Sequence, residues 1–212
     1  MSLNAVHIVV SVSIAAPVAE EAFKVGQTLA AKSREEVGNT YYDFVKAKDT
    51  DGTTTDDYYI IEKYVDQDAV EVHFKTEYFL TLVPQLVEKG MIIKFLKQAV
   101  DLSTGKRLLP PTATDPCGKA LRLIVSVVVS NEEEFVSLAQ KLTEKSREED
   151  GCLDYTFAKV KESAECEYFF IELWSNLAAL QAHAETPHYI EIVPMMKNCL
   201  TQNDVMMAYV GV

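Results

Sequence analysis

The pentapeptide Lys32–Glu36 (KSREE) occurs twice in this chain, the second time as Lys145–Glu149. The offset is 113 residues (145 − 32), and Gly38 returns as Gly151 in the same register. Further along the chain the offset becomes 110, and five more pairs keep their order. These pairs are Glu62 and Glu172, Tyr64 and Trp174, His73 and His183, Thr76 and Thr186, and Pro84 and Pro194. Self-similarity at a nearly constant spacing indicates two copies of one domain, fused head to tail.

The segment between the two copies is rich in residues that interrupt regular structure. It contains Gly105, Pro110, Pro111, Pro116 and Gly118. Because proline and glycine punctuate helices and strands, this segment is predicted to be a linker. The sequence therefore predicts a first domain over residues 1–102, a linker over 103–119 and a second domain over 120–212.

Composition narrows the classes of partner. The chain has 212 residues, with 20 basic and 32 acidic side chains and a formal net charge of -12. Such a charge repels a phosphate backbone and an anionic bilayer, so neither nucleic acid nor a membrane surface is an expected partner. No apolar run approaches the ~20 residues of a spanning helix, and the N-terminus lacks the pattern of a signal peptide. A cytoplasmic protein is expected.

The cysteines form no recognisable framework. Cys117, Cys152, Cys166 and Cys199 include no CxxC pair and do not recur between the copies. Disulfides and a zinc site are therefore not expected, and reduced thiols are.

Each copy follows the pattern β-α-β-β-α-β, with the second helical element in two pieces. In the second copy the pattern first predicts a strand over Leu121–Val129 and a helix from an N-cap at Asn131 to a C-cap at Gly151. Strands over Asp154–Val160 and Tyr168–Trp174 follow. The copy ends with a helix from a cap at Ser175 to about Glu185, a helix from about His188 to Cys199, and a strand over Val205–Val210. This order is the ferredoxin-like plan. The strand over Tyr168–Trp174 is apolar on both faces, so a second sheet is expected to cover it.

Three segments carry a family resemblance: Ser146–Tyr155 (SREEDGCLDY), Phe170–Trp174 (FIELW) and His183–Tyr189 (HAETPHY). They resemble the antibiotic biosynthesis monooxygenase family of small dimeric-barrel proteins, over nearly the whole chain, twice. Members of that family dimerise through their sheets. The resemblance implies an α+β fold in which two ferredoxin-like β-α-β-β-α-β repeats pack sheet to sheet as an intramolecular dimeric α+β barrel, a pseudo-dimer within one chain. Whether this pseudo-dimer forms a further homodimer is left open.

The first copy departs from the family pattern at three positions. Tyr64 replaces the tryptophan, Tyr78 stands where His188 does, and Asn39 replaces the cysteine. The second copy is therefore the better candidate for an active site, and the first is either a second site or only a structural half.

The resemblance places a pocket between sheet and helices. The catalytic candidates are His183, His188, Tyr155 and His73, and the substrate-binding candidates are Trp174, Tyr168, Tyr64 and Tyr42. His183 and His73 project from the inward faces of their helices, where an imidazole is either a proton acceptor or a structural core residue. His188 starts a helix, so capping and proton transfer are both open. Large aromatic residues at these positions either stack on a planar ligand or fill the core.

Acidic residues recur in both copies, in a strand and at the end of the first helix. Glu172 and Glu62 lie in apolar strands, where a carboxylate requires a partner or a raised proton affinity. An ion pair with Arg147 or Arg34 is the favoured prediction. The KSREE segments close the first helix of each copy and are interpreted as solvated helix ends.

The leading hypothesis is a cofactor-independent monooxygenase-like enzyme that acts on a small aromatic or quinol compound. It requires a small-molecule substrate and neither metal nor cofactor, and haem is the least supported option. One alternative is an isomerase or processing enzyme for a small carbonyl or sugar phosphate, for which Lys145 and Arg147 are the nearby basic residues. The other is a non-catalytic binding or assembly module.

Overall fold

The computed structural model describes residues 5–48, 54–104 and 120–209. Within these residues the chain forms eight strands and six helices, which divide into two compact units. The first unit ends at Gln98 and the second begins at Ala99. Of the predicted linker, residues 105–119 lie outside the described residues. None of the described helices combines the length and the apolar character that a membrane crossing requires.

The first unit contains the first repeat. Its elements are β1 (Val6–Ile14), α1 (Ala16–Ser33), β2 (Asn39–Lys48), β3 (Thr54–Tyr64), α2 (Gln67–His73), α3 (Glu77–Glu88) and β4 (Met91–Asp101), whose last three residues belong to the second unit. Strand β3 pairs antiparallel with both β1 and β2. This register sets Tyr42 directly opposite Glu62.

The second unit repeats the same order. Its elements are β5 (Leu121–Val129), α4 (Glu132–Ser146), β6 (Cys152–Val160), β7 (Glu167–Trp174), α5 (Leu177–Ala184), α6 (Pro187–Lys197) and β8 (Leu200–Tyr209). Its strands lie in the order β8-β5-β7-β6, all antiparallel. The predicted α+β class and the two β-α-β-β-α-β repeats are confirmed.

The core of the second unit follows from side-chain spacing. Phe135, Leu138, Ala139 and Leu142 of α4 recur at helical intervals and are all buried, as the pattern predicts. Strand β7 is buried along its whole length, so both of its faces are covered. On the face toward the helices, Tyr168, Phe170 and Trp174 join the same apolar cluster as α4.

Three predicted boundaries are wrong. Helix α4 ends at Ser146 with Arg147 as its C-cap, and Gly151 instead leads into β6 with a φ of 86°. Glycine suits that position because a Cβ would lie 2.7 Å from the Cβ of Ala179. The cap of α5 is Asn176 rather than Ser175, because the Asn176 side chain accepts from the amide of Ala179 at 2.9 Å. Strand β8 starts at Leu200, five residues before the predicted Val205.

Candidate functional site

A cavity of about 450 Å³ lies in the second unit, between the sheet and the helices that cover it. Its walls are mostly apolar and include Val125, Phe170, Leu142 and Met196. Three candidate proton-transfer groups also line it, namely Glu172, His183 and Tyr155. An apolar cavity with a few convergent polar groups is the usual form of a small-molecule site.

Strand register places two of these groups side by side. Side chains alternate along a strand, so Glu172 shares a face of β7 with Phe170 and Trp174. The pairing of β6 with β7 sets Tyr155 directly opposite Glu172. His183 comes from α5, a short helix whose start is held by the Asn176 cap.

Glu172 is a buried carboxyl group that forms no ion pair with a cationic side chain of the described residues. It is 4% exposed, and its Oε2 accepts a hydrogen bond of 2.8 Å from Trp174 Nε1. Burial raises the pKa of Glu172 to about 7, although the bonds from Trp174 and Tyr155 partly oppose this effect. A raised proton affinity is the alternative to an ion pair that the sequence left open for this residue.

The predicted ion pairs are wrong. Arg147 donates from Nε to the carbonyl of Tyr155 and from Nη1 to the carbonyl of Thr104, both at 2.8 Å. Arg34 lies 3.5 Å from Asp43. Both guanidinium groups therefore bind other partners. Glu172 and Glu62 instead accept hydrogen bonds from the neutral aromatic side chains of Trp174 and Tyr64.

His183 is held by a carboxylate at one ring nitrogen. Its Nδ1 lies 2.6 Å from Glu149 Oε1, and the residue is 2% exposed. Burial lowers the pKa of His183, with the Glu149 carboxylate opposing that effect. The other nitrogen, Nε2, is buried without a hydrogen-bond partner in the described part of the chain. With its hydrogen on Nδ1, the neutral ring therefore leaves Nε2 as a proton acceptor.

Glu149 was interpreted from the sequence as part of a solvated helix end, and that interpretation is wrong for this residue. Its side chain is only 12% exposed and lies between two imidazoles, since His188 Nε2 is 2.8 Å from the same Oε1. The neighbouring Lys145 and Glu148 do remain exposed and pair with each other. A signal was present in the sequence, because Glu36 and Glu149 recur alongside His73 and His183.

The same cluster has the composition of a metal-binding set. Donor atoms of Glu149, His183 and His188 all lie within 4.8 Å of one another. One carboxylate and two imidazoles could hold a transition metal such as zinc or iron. In the present arrangement both imidazoles instead hydrogen-bond to the Glu149 carboxylate.

The first repeat builds the equivalent cluster differently. His73 Nδ1 lies 2.9 Å from Glu36 Oε1, and its Nε2 lies 3.6 Å from Glu62 Oε2. Burial raises the pKa of Glu62 to about 8 and lowers that of His73. The Tyr64 hydroxyl donates to Glu62 at 2.8 Å, and the Tyr78 hydroxyl donates to Glu36. Neither His73 Nε2 nor His183 Nε2 has a hydrogen-bond partner in the described residues, but only His73 Nε2 has a carboxyl oxygen there within ion-pair distance.

The aromatic residues that the sequence offered as ligand contacts do not all lie at the cavity. Trp174 is fully buried behind the cavity wall, with its ring 4.7 Å from that of His183. Tyr168 lies near the start of β7, where its hydroxyl donates to Glu132. Tyr64 and Tyr42 surround His73, at ring distances of 5.2 and 5.9 Å. Tyr155 is the predicted aromatic residue that lines the cavity itself.

The two basic residues that the sequence offered for the sugar-phosphate alternative lie outside the cavity, although Lys197 of α6 belongs to its lining. Lys145 is exposed and paired with Glu148, and Arg147 binds backbone carbonyls. Neither side chain belongs to the cavity lining. The geometry therefore gives no support to recognition of a phosphate group by these two residues.

Replacing His188 with tyrosine is expected to preserve the fold, because Tyr78 occupies this position in the first repeat and donates to Glu36. His188→Tyr should change the free energy of unfolding by less than about 1 kcal/mol, whereas His188→Ala should cost about 1–2 kcal/mol through the lost bond to Glu149. Urea denaturation of the two variants measures the difference. Equal destabilisation would contradict the equivalence of the two positions.

The sequence matches one family model and is similar to two individual proteins over part of its length. The model of the antibiotic biosynthesis monooxygenase family matches residues 5–85 and 125–194. The Bacillus subtilis protein "Putative monooxygenase YcnE" is 37% identical over 82 residues, which cover 38% of this chain and 84% of that protein. An uncharacterized protein of Synechocystis sp., sll1783, is 36% identical over 78 residues, or 37% of this chain, and this chain spans only 52% of its length.

The fold of the whole chain also has a solved counterpart. It is the crystal structure of "Putative monooxygenase (FN1347)" from Fusobacterium nucleatum, which aligns with a TM-score of 0.79 and 14% identity. The alignment covers 99% of this chain and 94% of that one. At this identity the likeness concerns the fold alone.

Proposed function

Since this chain belongs to the antibiotic biosynthesis monooxygenase family, we propose that its second repeat is a cofactor-independent monooxygenase for a small aromatic or quinol compound. Family membership and the name of YcnE support monooxygenase-like chemistry. The substrate class is inferred from the site. The observation that carries it is a mainly apolar cavity whose lining includes His183, an imidazole whose buried Nε2 has no hydrogen-bond partner in the described residues.

The cavity suits a planar, largely apolar substrate. Its volume of about 450 Å³ is typical of a small-molecule site, and Phe170 and Met196 provide apolar contact. Tyr155 lines the same space and is placed to hold the ring. Trp174 packs against His183 from behind and so keeps the imidazole in position.

The first chemical step is removal of a ring hydroxyl proton by His183. Its Nε2 accepts the proton, while Nδ1–H continues to donate to Glu149. The Glu149 carboxylate stabilises the imidazolium that forms, as a carboxylate does behind a catalytic histidine. His188 contacts the same Glu149 oxygen and helps to hold that carboxylate.

The second step is the reaction of the resulting electron-rich anion with oxygen. The anion passes one electron to O₂, and the carbon radical and superoxide then join in a C–O bond. The peroxide so formed loses water and leaves a carbonyl on the ring. One oxygen atom enters the product and the other enters water. The substrate supplies all the electrons, so this sequence needs no external reductant.

Aerobic assays with hydroquinones and anthrones test the proposal. We expect quinone formation with one O₂ consumed per product, incorporation of one ¹⁸O atom from ¹⁸O₂, and the same rate with EDTA present. Absence of turnover across the panel would overturn the proposed function. Loss of activity with EDTA and recovery with a metal ion would overturn its cofactor independence and would point to the Glu149, His183 and His188 set.

A further inference from the structure

Two of the ionisable groups that line the cavity are an imidazole and a carboxyl group, and the proposed mechanism uses only the imidazole. His183 is a base whose Nε2 has no hydrogen-bond partner in the described residues. Glu172 lines the same cavity and has no assigned task. We propose that Glu172 is a second catalytic residue, an acid that protonates the peroxide on the substrate and then, as the carboxylate, removes the last hydrogen from the oxidised carbon. This inference rests on the proposed function.

Neutral donors hold Glu172 in the cavity wall. Trp174 Nε1 donates to Oε2 at 2.8 Å, Trp174 itself is fully buried, and Tyr155 also hydrogen-bonds to the carboxyl group. Because neither partner is a cation, the carboxyl group can keep its own proton. The residue lies on the cavity-facing side of β7, opposite Tyr155. A substrate that reaches Tyr155 is therefore also next to the carboxyl group.

The surroundings keep Glu172 in the form that the task requires. Burial raises the pKa of Glu172 to about 7, so a large fraction carries a proton at neutrality. The described titratable groups that act on Glu172 or share its cavity are Tyr155 and Cys152 of β6, Glu149 after α4, His183 of α5, and Tyr189 and Lys197 of α6. A carboxylic acid and an imidazole that line one cavity can work as an acid and base pair.

The proton transfers balance over one turnover. His183 takes the ring hydroxyl proton, and O₂ joins the ring carbon that still bears one hydrogen. Glu172 gives its proton to the peroxide anion and becomes a carboxylate. That carboxylate removes the remaining C–H proton, the C–H electron pair forms the carbonyl, and the O–O bond breaks. The hydroxide that leaves takes the proton from the His183 imidazolium, which gives water and restores both residues.

The first repeat offers a matched control at the same strand position. Glu62 is equally buried and accepts a hydrogen bond from Tyr64 in place of tryptophan. Its carboxyl group, however, lies 3.6 Å from Nε2 of His73. Glu62→Gln therefore makes the same chemical change as Glu172→Gln, outside the cavity that the proposal uses.

The test compares product with oxygen consumed in Glu172→Gln, using a panel compound that the unmodified protein oxidises. Glutamine keeps the shape of the protonated acid but cannot release a proton or act as a base. We expect O₂ uptake within about threefold of the unmodified rate, whereas quinone formed per O₂ falls at least tenfold and a substrate hydroperoxide accumulates. Glu62→Gln should keep the original quinone yield, and Glu172→Asp should restore part of it.

Two results would overturn the inference. One is an unchanged quinone yield in Glu172→Gln. The other is a parallel fall of O₂ uptake and quinone formation with unchanged yield, because that pattern indicates a structural role. Thermal melting of each variant identifies any loss of folding, and Glu172→Asp then serves as the second variant. Failure of the proposed function is distinct, since the unmodified protein would then oxidise no compound of the panel.

Discussion

Replacing His183 with alanine is expected to lower kcat for aromatic oxidation by roughly 10²- to 10⁴-fold, the usual contribution of a positioned general base. The reason is geometric, since His183 lines the cavity, its Nε2 has no hydrogen-bond partner in the described residues, and its Nδ1 is already occupied by Glu149. KM should change much less, because the apolar walls remain. Steady-state kinetics on the best compound of the panel, with circular dichroism as a check on folding, measures the effect.

The matched variant His73→Ala reports the share of the first repeat. Its Nε2 faces the Glu62 carboxyl group at 3.6 Å, so this ring is less free to accept a substrate proton. We expect a loss of less than about tenfold for this variant. Equal losses in the two variants would show that both repeats contribute, and no loss in His183→Ala would remove that residue from the mechanism.

The second large effect concerns stability and pH, and it centres on Glu62. Burial raises its pKa from 4.5 to about 8 in the folded protein. The folded state therefore binds the proton more tightly than the unfolded state does. The resulting stabilisation is complete below about pH 4.5 and is lost as the pH rises through 8. A shift of this size corresponds to a few kcal/mol, on the order of 3–5.

Glu62→Gln is expected to remove most of this pH dependence. Glutamine resembles the protonated acid, so the variant should exceed the parent protein's free energy of unfolding by about 1 kcal/mol near pH 5.5 and by roughly 3–5 kcal/mol at pH 9. Urea denaturation at both pH values measures the double difference. The opposite trend of His73, whose lowered pKa destabilises the fold below about pH 6.5, is present in both proteins and cancels.

An exposed glutamate provides the control for this measurement. Glu71 pairs with Lys75 on the surface of α2, and its side chain is 59% exposed. Glu71→Gln should change stability by less than about 0.5 kcal/mol at either pH, since exposed pairs contribute little. If Glu62→Gln behaves like Glu71→Gln, the carboxyl group is not held neutral by burial.

Local patterns carried much of the fold prediction. The repeated KSREE segment and the later residue pairs defined two domains, and alternation along Tyr168–Trp174 correctly indicated a strand buried on both faces. Helical spacing placed His183 and His73 on inward faces, and both are buried. The boundary errors at Gly151 and Ser175 arose because neighbouring residues compete for a cap, and backbone geometry chooses between them.

The sequence by itself determined the duplication, the order of strands and helices and the burial of Glu172 and His183, because these follow from periodicity within short segments. Only the tertiary structure decided that Glu149 binds His183, 34 residues further along, and that Trp174 rather than arginine binds Glu172. It also decided that a carboxyl oxygen of Glu62 lies 3.6 Å from Nε2 of His73, whereas the described residues form no such ion pair at Nε2 of His183. Such pairings depend on strand register and on where a turn directs a side chain, which no local pattern encodes.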